Sequence, residues 1–329
     1  MNPLIVADIG GTNARFGIAR FNVASTIPQK HIIIDHQTTL ACDDYSTFTA
    51  CATHYIKTLP SDIKTKNACF AFAAPIAKGK ITMTNNHWTV ILPEVKKTLK
   101  LERIEAINDF AAQACAISHL ESHELSVIKT GTIIPEQNKT ILGPGTGLGV
   151  GSLAFCNGTW KPIAGEGGHV GFTYPNILGL ALYSELQNEH DFLSLETLLS
   201  GNGLVNIYRA ICKVQGAIIQ EYDESDISRL GLNNSVDECK KALTLFCELL
   251  GAASGDLALI NGSKGGVYLT GGILPRIENF LLQSNFSKIF NQKGKMSHFL
   301  NDIPIYLVKK NNPALYGAAN WFLSNAAYE

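Results

Sequence analysis

Three short glycine-rich turns contain the residues of this sequence whose types and spacing first suggest chemistry. They are Asp8-Ile9-Gly10-Gly11-Thr12-Asn13, Gly143-Pro144-Gly145-Thr146-Gly147-Leu148-Gly149 and Gly271-Gly272. Turns of this kind, placed after short apolar runs, can direct consecutive backbone N–H groups at an anion such as a nucleotide phosphate. A single turn would be explained by a tight hairpin alone, but three turns, two with threonine and the first with aspartate, favour nucleotide binding.

The common single-loop phosphate motifs do not occur in the sequence. There is no Gly-x-x-x-x-Gly-Lys-Ser/Thr segment, and the glycines from Gly145 to Gly151 recur at every second residue instead of in the Gly-x-Gly-x-x-Gly spacing. The sequence therefore argues against a Walker-type NTPase and against a dinucleotide-binding enzyme.

The elements that must position these turns alternate between strands and helices. We predict strands over residues 4–7, 16–19, 68–73, 81–84, 104–107, 140–142, 150–155 and 265–269. We predict helices over residues 93–100, 109–120, 236–260 and 313–323, and one from about residue 274. Ser235 and Glu238 fit a capping box at the start of the long helix. The strand, glycine turn and strand pattern recurs after about 135 residues, which predicts a duplicated architecture with one half in each domain.

Composition excludes several classes of protein. The chain has 329 residues, of which 46% are hydrophobic and 17% charged, so it is long enough for two domains with proper cores. Lys and Arg total 27 against 28 Asp and Glu, so no excess of positive charge favours nucleic acid or anionic lipid. We therefore expect neither nucleic acid nor a membrane as a partner.

Segments for export or membrane insertion are also not expected. The longest apolar run, Ala68 to Ala77, has about half of the roughly 20 residues that a membrane helix needs, and the N-terminus lacks the features of a signal peptide. Eight cysteines lie at least eight residues apart, so neither a zinc knuckle nor a Cys-x-x-Cys pair can be drawn. Four of them, Cys69, Cys115, Cys212 and Cys247, lie in apolar segments. We expect these to be buried thiols in a cytoplasmic protein.

The ordered motifs resemble those of the bacterial glucokinases, in the hexokinase-like group of the actin, Hsp70 and sugar-kinase superfamily. Asp8-x-Gly-Gly-Thr-Asn13, Gly145-Thr-Gly-Leu-Gly149 and Gly271-Gly-Ile273 are similar to the first phosphate, second phosphate and adenosine segments of that superfamily. The similarity continues nearly from end to end through Met83-Thr-Asn85, Ile107-Asn-Asp-Phe110, Gly165-Glu-Gly-Gly-His-Val170, Leu199-Ser-Gly-Asn-Gly-Leu-Val205 and Asp302-Ile-Pro-Ile-Tyr306.

This resemblance implies an α/β fold with two domains: a duplicated, ribonuclease H-like (actin-like ATPase) fold with an interdomain active-site cleft. The small N-terminal domain would comprise residues 1–118, completed by residues 311–329. The large domain would comprise residues 119–310. The activity implied is the ATP-dependent phosphorylation of D-glucose to glucose 6-phosphate, with a possible homodimer as the assembly.

The resemblance also implies roles for individual residues. Those that would bind ATP are Ala7, Asp8, Ile9, Gly10, Gly11, Thr12, Asn13, Gly145, Thr146, Gly147, Gly271 and Gly272. Those that would bind the sugar are Asn108, Asp109, Glu166, His169 and Glu196, with Thr84 and Asn85 from the smaller domain. Asp109 would be the general base, because the attacking hydroxyl must lose its proton during phosphoryl transfer. Asp8 would face Mg²⁺ through water. No Lys or Arg could be assigned to the transferred phosphoryl group.

For several of these residues the local sequence alone leaves a simpler explanation open. Asn108 or Asp109 could cap the helix that follows, which is compatible with a role in catalysis. His169 could be a structural residue, and Glu196 could be an ordinary exposed helix residue.

Other functions remain open from the sequence. The related repressor and kinase (ROK) family has a zinc-binding cysteine cluster after its Glu-x-Gly-His segment. Here no cysteine follows His169 until Cys212, so no structural zinc is expected. The nearest alternative is a kinase for another hexose or an N-acetylated amino sugar. A sugar-responsive repressor would need a DNA-binding segment ahead of Leu4, and an actin-like or Hsp70-like ATPase would hydrolyse ATP without sugar.

Overall fold

A computed structural model describes residues 3–22, 32–172, 174 and 176–326, and it divides the chain into two compact units. Unit 1 comprises Met1–Glu124, Cys156–Ala164 and Lys310–Glu329, and unit 2 comprises Leu125–Phe155 and Gly165–Lys309. The mixed α/β character expected from the alternating pattern is confirmed. The domain limits expected from the sequence stay a prediction.

The main sheet of unit 1 places both ends of the first glycine turn in neighbouring strands. Its strands are β1 (Leu4–Ile9), β2 (Asn13–Phe21), β3 (Ile32–Ala41), β4 (Asn67–Phe72) and β8 (Arg103–Asn108). The spatial order is β3-β2-β1-β4-β8. β1 is antiparallel to β2 and parallel to β4, which in turn is parallel to β8.

A small antiparallel sheet and four helices complete unit 1. The small sheet has strands β5 (Ile76–Ala77), β6 (Lys80–Thr82) and β7 (Thr89–Ile91). The helices are α1 (Phe48–Thr58), α2 (Leu92–Thr98), α3 (Asp109–Ala116) and α12 (Pro313–Ala326), and β12 (Thr159–Ala164) lies against α3. The 3-10 turns are Cys42–Asp44, Ile117–His119 and Ser122–Glu124.

The C-terminal helix α12 packs closely against α3, as a helix returning to the N-terminal part of the chain should. A Cβ at Gly317 would overlap the carbonyl oxygen of Ala112, so only glycine allows this approach. Asn320 Nδ2 donates to the carbonyl of Cys115 at 3.1 Å, and the Arg103 guanidinium lies 4.5 Å from the centre of the Phe322 ring. Through these contacts α12 fixes the helix that begins with Asp109.

The strands of unit 2 repeat the arrangement of unit 1. They are β9 (Leu125–Lys129), β10 (Lys139–Pro144), β11 (Leu148–Cys156), β13 (Val267–Leu269) and β14 (Ile305–Val308). In space they follow the order β11-β10-β13-β14-β9, in which the first four match β2-β1-β4-β8 of unit 1 and β9 is an added strand antiparallel to β14. An antiparallel hairpin around a glycine turn is again followed by two parallel strands, so the predicted duplication is confirmed at the level of topology.

Unit 2 has eight helices among its described residues. They are α4 (Ile177–Leu186), α5 (Leu195–Leu198), α6 (Gly201–Gln215), α7 (Glu224–Leu232), α8 (Asp237–Asn261), α9 (Glu278–Gln283), α10 (Phe286–Asn291) and α11 (Ser297–Leu300). The 3-10 turns are Gly167–His169, Leu274–Ile277 and Gly294–Met296. Helix α8 is long and apolar enough to cross a membrane, but 78% of its apolar stretch is buried within the protein, as in a core helix.

The capping box predicted at the start of α8 is wrong. The N-cap is Val236, which makes no side-chain cap bond, and the helix begins at Asp237. The backbone N–H of Ser235 instead donates to the carbonyl of Leu230, closing the end of α7. Ser235 therefore lies in the short connection between the two helices, where it closes the end of α7 instead of capping α8.

All eight cysteines are free thiols, and seven of them are buried, including the four expected to be so. Only Cys156 among them is exposed. Burial raises the pKa of the Cys115 thiol to about 12 and that of the Cys247 thiol to about 12, so these groups behave as small apolar side chains.

Candidate functional site

The first glycine turn joins β1 to β2 and is contacted by neighbouring residues of unit 1. The backbone N–H of Gly10 donates to the carbonyl of Asn13 at 2.9 Å, and Asn86 Nδ2 donates to the carbonyl of Gly10 at 3.2 Å. A Cβ at Gly11 would lie 2.7 Å from Asn85 Cβ, so the turn is in direct contact with the Thr84-Asn85 segment. The Thr12 side chain is exposed. The turn is therefore held by hydrogen bonds and a close contact on its inner side and is exposed at Thr12.

Asp8 is paired with a cation that the sequence did not point to. In the β1–β2 hairpin Asp8 stands opposite Arg15, and Arg15 Nη1 lies 3.4 Å from Asp8 Oδ2. Burial raises the pKa of the Asp8 carboxyl, and the charge of Arg15 and its hydrogen bond oppose that rise. The hairpin register contains the signal for this pair, because a turn closed between Gly10 and Asn13 sets residue 8 opposite residue 15.

Asn108 and Asp109 lie at the carboxyl ends of the parallel strands of the main sheet in unit 1, as the first glycine turn does. The parallel register aligns Ile9 with Phe72 and Phe72 with Asn108, so the ends of β1, β4 and β8 form one row. Two interstrand steps separate β1 from β8, about 10 Å. Asn108 Oδ1 accepts from the backbone N–H groups of Phe110 and Ala111, both at 3.1 Å, which confirms that Asn108 caps α3. Asp109 is the first residue of α3 and is half-buried.

Thr84 and Asn85 occupy the exposed turn between β6 and β7. The turn is closed by the backbone N–H of Met83, which donates to the carbonyl of Trp88 at 3.0 Å, and both of these side chains are buried. The buried pair anchors a short loop whose tip touches Gly11. Unit 1 thus brings together Asp8, the first glycine turn and the Thr84-Asn85 segment.

The second glycine turn, in unit 2, is fixed at both ends. The backbone N–H of Gly145 donates to the carbonyl of Gly147 at 2.8 Å, and the carbonyl of Gly145 accepts from the N–H of Gly201 at 2.8 Å. At the other end, the N–H of Leu148 donates to Glu196 Oε2 at 2.7 Å. Thr146 at the tip is exposed.

The Gly271-Gly272 segment lies beside the second glycine turn. The backbone N–H of Thr270 donates to the carbonyl of Leu142 at 2.9 Å, which extends the parallel pairing of β10 and β13. Gly271 has φ +93°, and a Cβ there would overlap the carbonyl oxygen of Pro144. The candidate second phosphate and adenosine segments are therefore neighbours in unit 2.

Glu166 and His169 are both exposed and belong to one tight turn. The backbone N–H of His169 donates to the carbonyl of Glu166 at 3.0 Å, and a Cβ at Gly168 would overlap the carbonyl oxygen of Leu148. The carbonyl of Val170 accepts from the N–H of Leu195 at 2.8 Å, which ties the turn to α5. The turn thus packs on the first residue of β11 and next to the helix that bears Glu196.

Glu196 differs from an ordinary exposed helix residue. It is half-buried, and its carboxylate accepts a backbone hydrogen bond from the second glycine turn. Helix α5 is only four residues long and is held by a capping box between Ser194 and Thr197. Residue spacing gave no signal for the contact with Leu148, since 48 residues separate the two partners.

The donor set around Asp8 suits a hydrated metal ion better than a resident one. Among the described residues, no group of three or more His, Cys, Asp or Glu could hold a metal ion. Mg²⁺ usually retains several waters and is bound by one or two carboxylates together with substrate phosphates. A single carboxylate at the edge of a phosphate-type turn fits that mode.

Comparison with known proteins gives consistent matches along the chain. Residues 5–325 match the family model described as Glucokinase. The chain is 42% identical to the glucokinase of Saccharophagus degradans over 321 residues, covering 98% of each chain. The crystal structure of a glucokinase from an Antarctic psychrotroph is similar with a TM-score of 0.88 and 38% identity, covering 98% of this chain and 99% of that one.

A more distant structure shares the fold. The ROK family glucokinase from Streptomyces griseus, solved in complex with glucose and AMPPNP, has a TM-score of 0.67 at 15% identity and covers 97% of this chain and 99% of that one. The duplicated actin-like ATPase fold expected from the resemblance is confirmed by these neighbours.

Proposed function

This chain belongs to the glucokinase family, and we propose on that basis that it transfers the terminal phosphoryl group of ATP to the 6-hydroxyl of D-glucose. The observation that carries the proposal is the 42% identity with a glucokinase over 98% of both chains. The products are glucose 6-phosphate and ADP.

In this proposal the glycine turns bind the nucleotide. The backbone N–H groups of Gly11 and Gly147 donate to phosphate oxygens, whereas those of Gly10 and Gly145 close the two turns. The hydroxyls of Thr12 and Thr146 add two further donors. Gly271 and Gly272, without side chains, allow the adenosine to approach the backbone. The hydrogen bonds that close the two phosphate turns and the exposure of Thr12 and Thr146 at their tips support these roles.

Asp8 would hold Mg²⁺ through water, and the ion, when bound, would neutralise charge on the phosphates. We assign to Arg15 the task of keeping the Asp8 carboxylate ionised, because the guanidinium opposes the effect of burial on the Asp8 pKa.

Asp109 acts as the general base in this account. As the 6-oxygen of the sugar attacks the terminal phosphorus, its proton passes to the Asp109 carboxylate and the bond from that phosphorus to the bridging oxygen of ADP breaks. The position of Asp109 supports the role, since α12 fixes α3 from one side and the Asn108 cap fixes its first turn. A carboxylate on a fixed helix terminus needs little reorganisation to meet the hydroxyl.

Sugar recognition is assigned to polar side chains from both units. Asn108 and Asp109, with Thr84 and Asn85, come from unit 1, whereas Glu166, His169 and Glu196 come from unit 2. A neutral sugar offers only hydroxyls, so carboxylates that accept from them are the strongest available partners.

A panel of sugars tests the proposal and separates it from its nearest alternative. ADP release should be measured by a coupled assay with glucose, fructose, mannose and N-acetylglucosamine in parallel. We expect glucose to give the highest kcat/KM. A preference for another sugar would favour the alternative hexose or amino-sugar kinase, and equal ADP release without sugar would indicate an ATPase. A homodimer and a cytoplasmic location stay predictions from the resemblance.

A further inference from the structure

Glu196 has a second connection that its expected contact with the sugar does not explain. Its Oε2 accepts the backbone N–H of Leu148 at 2.7 Å, and a Cβ at Gly147 would overlap the same oxygen. Gly147 has no positive φ, so the backbone there does not require glycine. The absence of a side chain at residue 147 is therefore explained by the Glu196 carboxylate, which fills the space against the turn.

The other end of the same turn is fixed by the segment that follows Glu196. The carbonyl of Gly145 accepts from the N–H of Gly201, and Ser200 Oγ donates to the carbonyl of Glu196 at 2.9 Å. Residues 196–201 thus hold the turn at Gly145 through a backbone bond and at Leu148 through a carboxylate. Only the second of these bonds can be removed by a side-chain substitution.

We propose that Glu196 is a positioning residue for the nucleotide phosphates, in addition to its expected role as a sugar ligand. Its Oε2 fixes the Gly145-Thr146-Gly147 turn in the conformation that presents N–H donors to a phosphate. Its Oε1 has no hydrogen-bond partner within the described part of the chain and is left for a sugar hydroxyl. Both halves of this inference rest on the proposed function, the phosphate half on nucleotide binding by this turn and the sugar half on binding of glucose, and titration with ADP in the absence of sugar tests the first half by itself.

Because the two carboxylate oxygens of Glu196 have different roles, we expect substitutions to alanine and to glutamine to have different effects on nucleotide affinity. Glu196→Ala removes both acceptors, so the turn loses the bond at Leu148. Glu196→Gln keeps one acceptor oxygen, which can still bind the N–H of Leu148, but replaces the other oxygen with a donor. The alanine variant should therefore lose nucleotide affinity, while the glutamine variant should lose only sugar affinity.

The test is calorimetric titration of the folded protein with ADP and Mg²⁺ in the absence of sugar. A hydrogen bond to a charged group contributes enough that Glu196→Ala should raise the Kd for ADP roughly 10-fold. Glu196→Gln should stay within about 3-fold of the unaltered protein, because a neutral acceptor remains. Glu94→Ala and Glu94→Gln, at an exposed position in α2, are the matched controls, and both should leave the Kd for ADP unchanged.

Gly147→Ala reaches the same contact from the other side. Its methyl group must displace Glu196 Oε2, so the Kd for ADP should rise as it does in Glu196→Ala. In the double variant the obstructing carboxylate is gone, so the two effects should be less than additive. If Glu196→Ala does not fold, Gly147→Ala and Glu196→Gln provide the test.

The inference is overturned if folded Glu196→Ala or Gly147→Ala binds ADP within twofold of the unaltered protein. It is also overturned if Glu196→Gln loses as much ADP affinity as Glu196→Ala. Neither result depends on the sugar. Failure of the unaltered protein to phosphorylate glucose would instead contradict the proposed function, and ADP binding would still decide the role of Glu196.

Discussion

At the scale of single residues, two side chains of the candidate site each use one oxygen to accept hydrogen bonds from the backbone. Asn108 uses its oxygen to cap α3, and Glu196 uses one carboxylate oxygen to hold a glycine turn. Glu166 is different, because it is exposed and stands at the start of a tight turn. Its carboxylate is therefore the clearest case of a group available to a ligand.

Glu166→Gln should raise the KM for glucose roughly 10-fold, because a hydrogen bond to a carboxylate is stronger than one to an amide. The value of kcat should change much less, since the residue does not move a proton in the reaction. Steady-state kinetics with varied glucose measures both. Glu221→Gln, at an exposed position in unit 2, is the control, and an unchanged KM in Glu166→Gln would remove that residue from the sugar site.

Arg15→Met should change the pH dependence of the reaction. Burial already raises the pKa of Asp8, and loss of the guanidinium removes the interaction that opposes this rise. A protonated Asp8 cannot serve Mg²⁺, so the acid limb of kcat/KM for ATP should move to higher pH in the variant. Arg20→Met, in the same strand but paired with Asp35, should leave the limb in place. A coincident limb in Arg15→Met and the unaltered protein would contradict this role.

At the scale of elements, the sequence predicts local features better than distant contacts. The helix that begins at Asp109 starts as expected, and the strand predicted over 104–107 is present as Arg103–Asn108, because such features are encoded within a few residues. The predicted strand over 81–84 in fact ends at Thr82, and the predicted helix over 109–120 ends at Ala116 with a 3-10 turn beyond it.

Distant contacts left no comparable signal. The bond from Leu148 to Glu196 depends on how α5 packs on the hairpin, and the separation of α7 from α8 decides that Ser235 does not cap α8. Propensity and spacing describe a segment, whereas these outcomes depend on which other segment lies beside it.

Gly317→Ala should separate α12 from α3. The added methyl meets the carbonyl oxygen of Ala112, and such overpacking costs about 1–3 kcal/mol. Thermal unfolding should show a lower Tm, and kcat should fall because α3 begins with Asp109. Ser324→Ala, at an exposed position in α12, should alter neither quantity. A Tm equal to that of the unaltered protein would show that the close approach of the two helices is not needed.

At the scale of the whole molecule, the two units share one arrangement of strands and glycine turns. In each unit a hairpin with a glycine turn is followed by parallel strands, and a glycine of the turn touches a residue assigned to the sugar. The pairs are Gly11 with Asn85 in unit 1 and Gly147 with Glu196 in unit 2. The repeat of the turns is visible in the sequence, but the repeat of these contacts is visible only in the fold.

The central claim is that the chain phosphorylates glucose with Asp109 as the base. Its most direct test is the rate of glucose 6-phosphate formation from glucose, ATP and Mg²⁺ by the unaltered protein and by Asp109→Ala. We expect glucose-dependent turnover in the unaltered protein and a fall in kcat of about 10² to 10⁴ in the variant, with a much smaller change in glucose affinity. Near-normal turnover in Asp109→Ala would contradict the account.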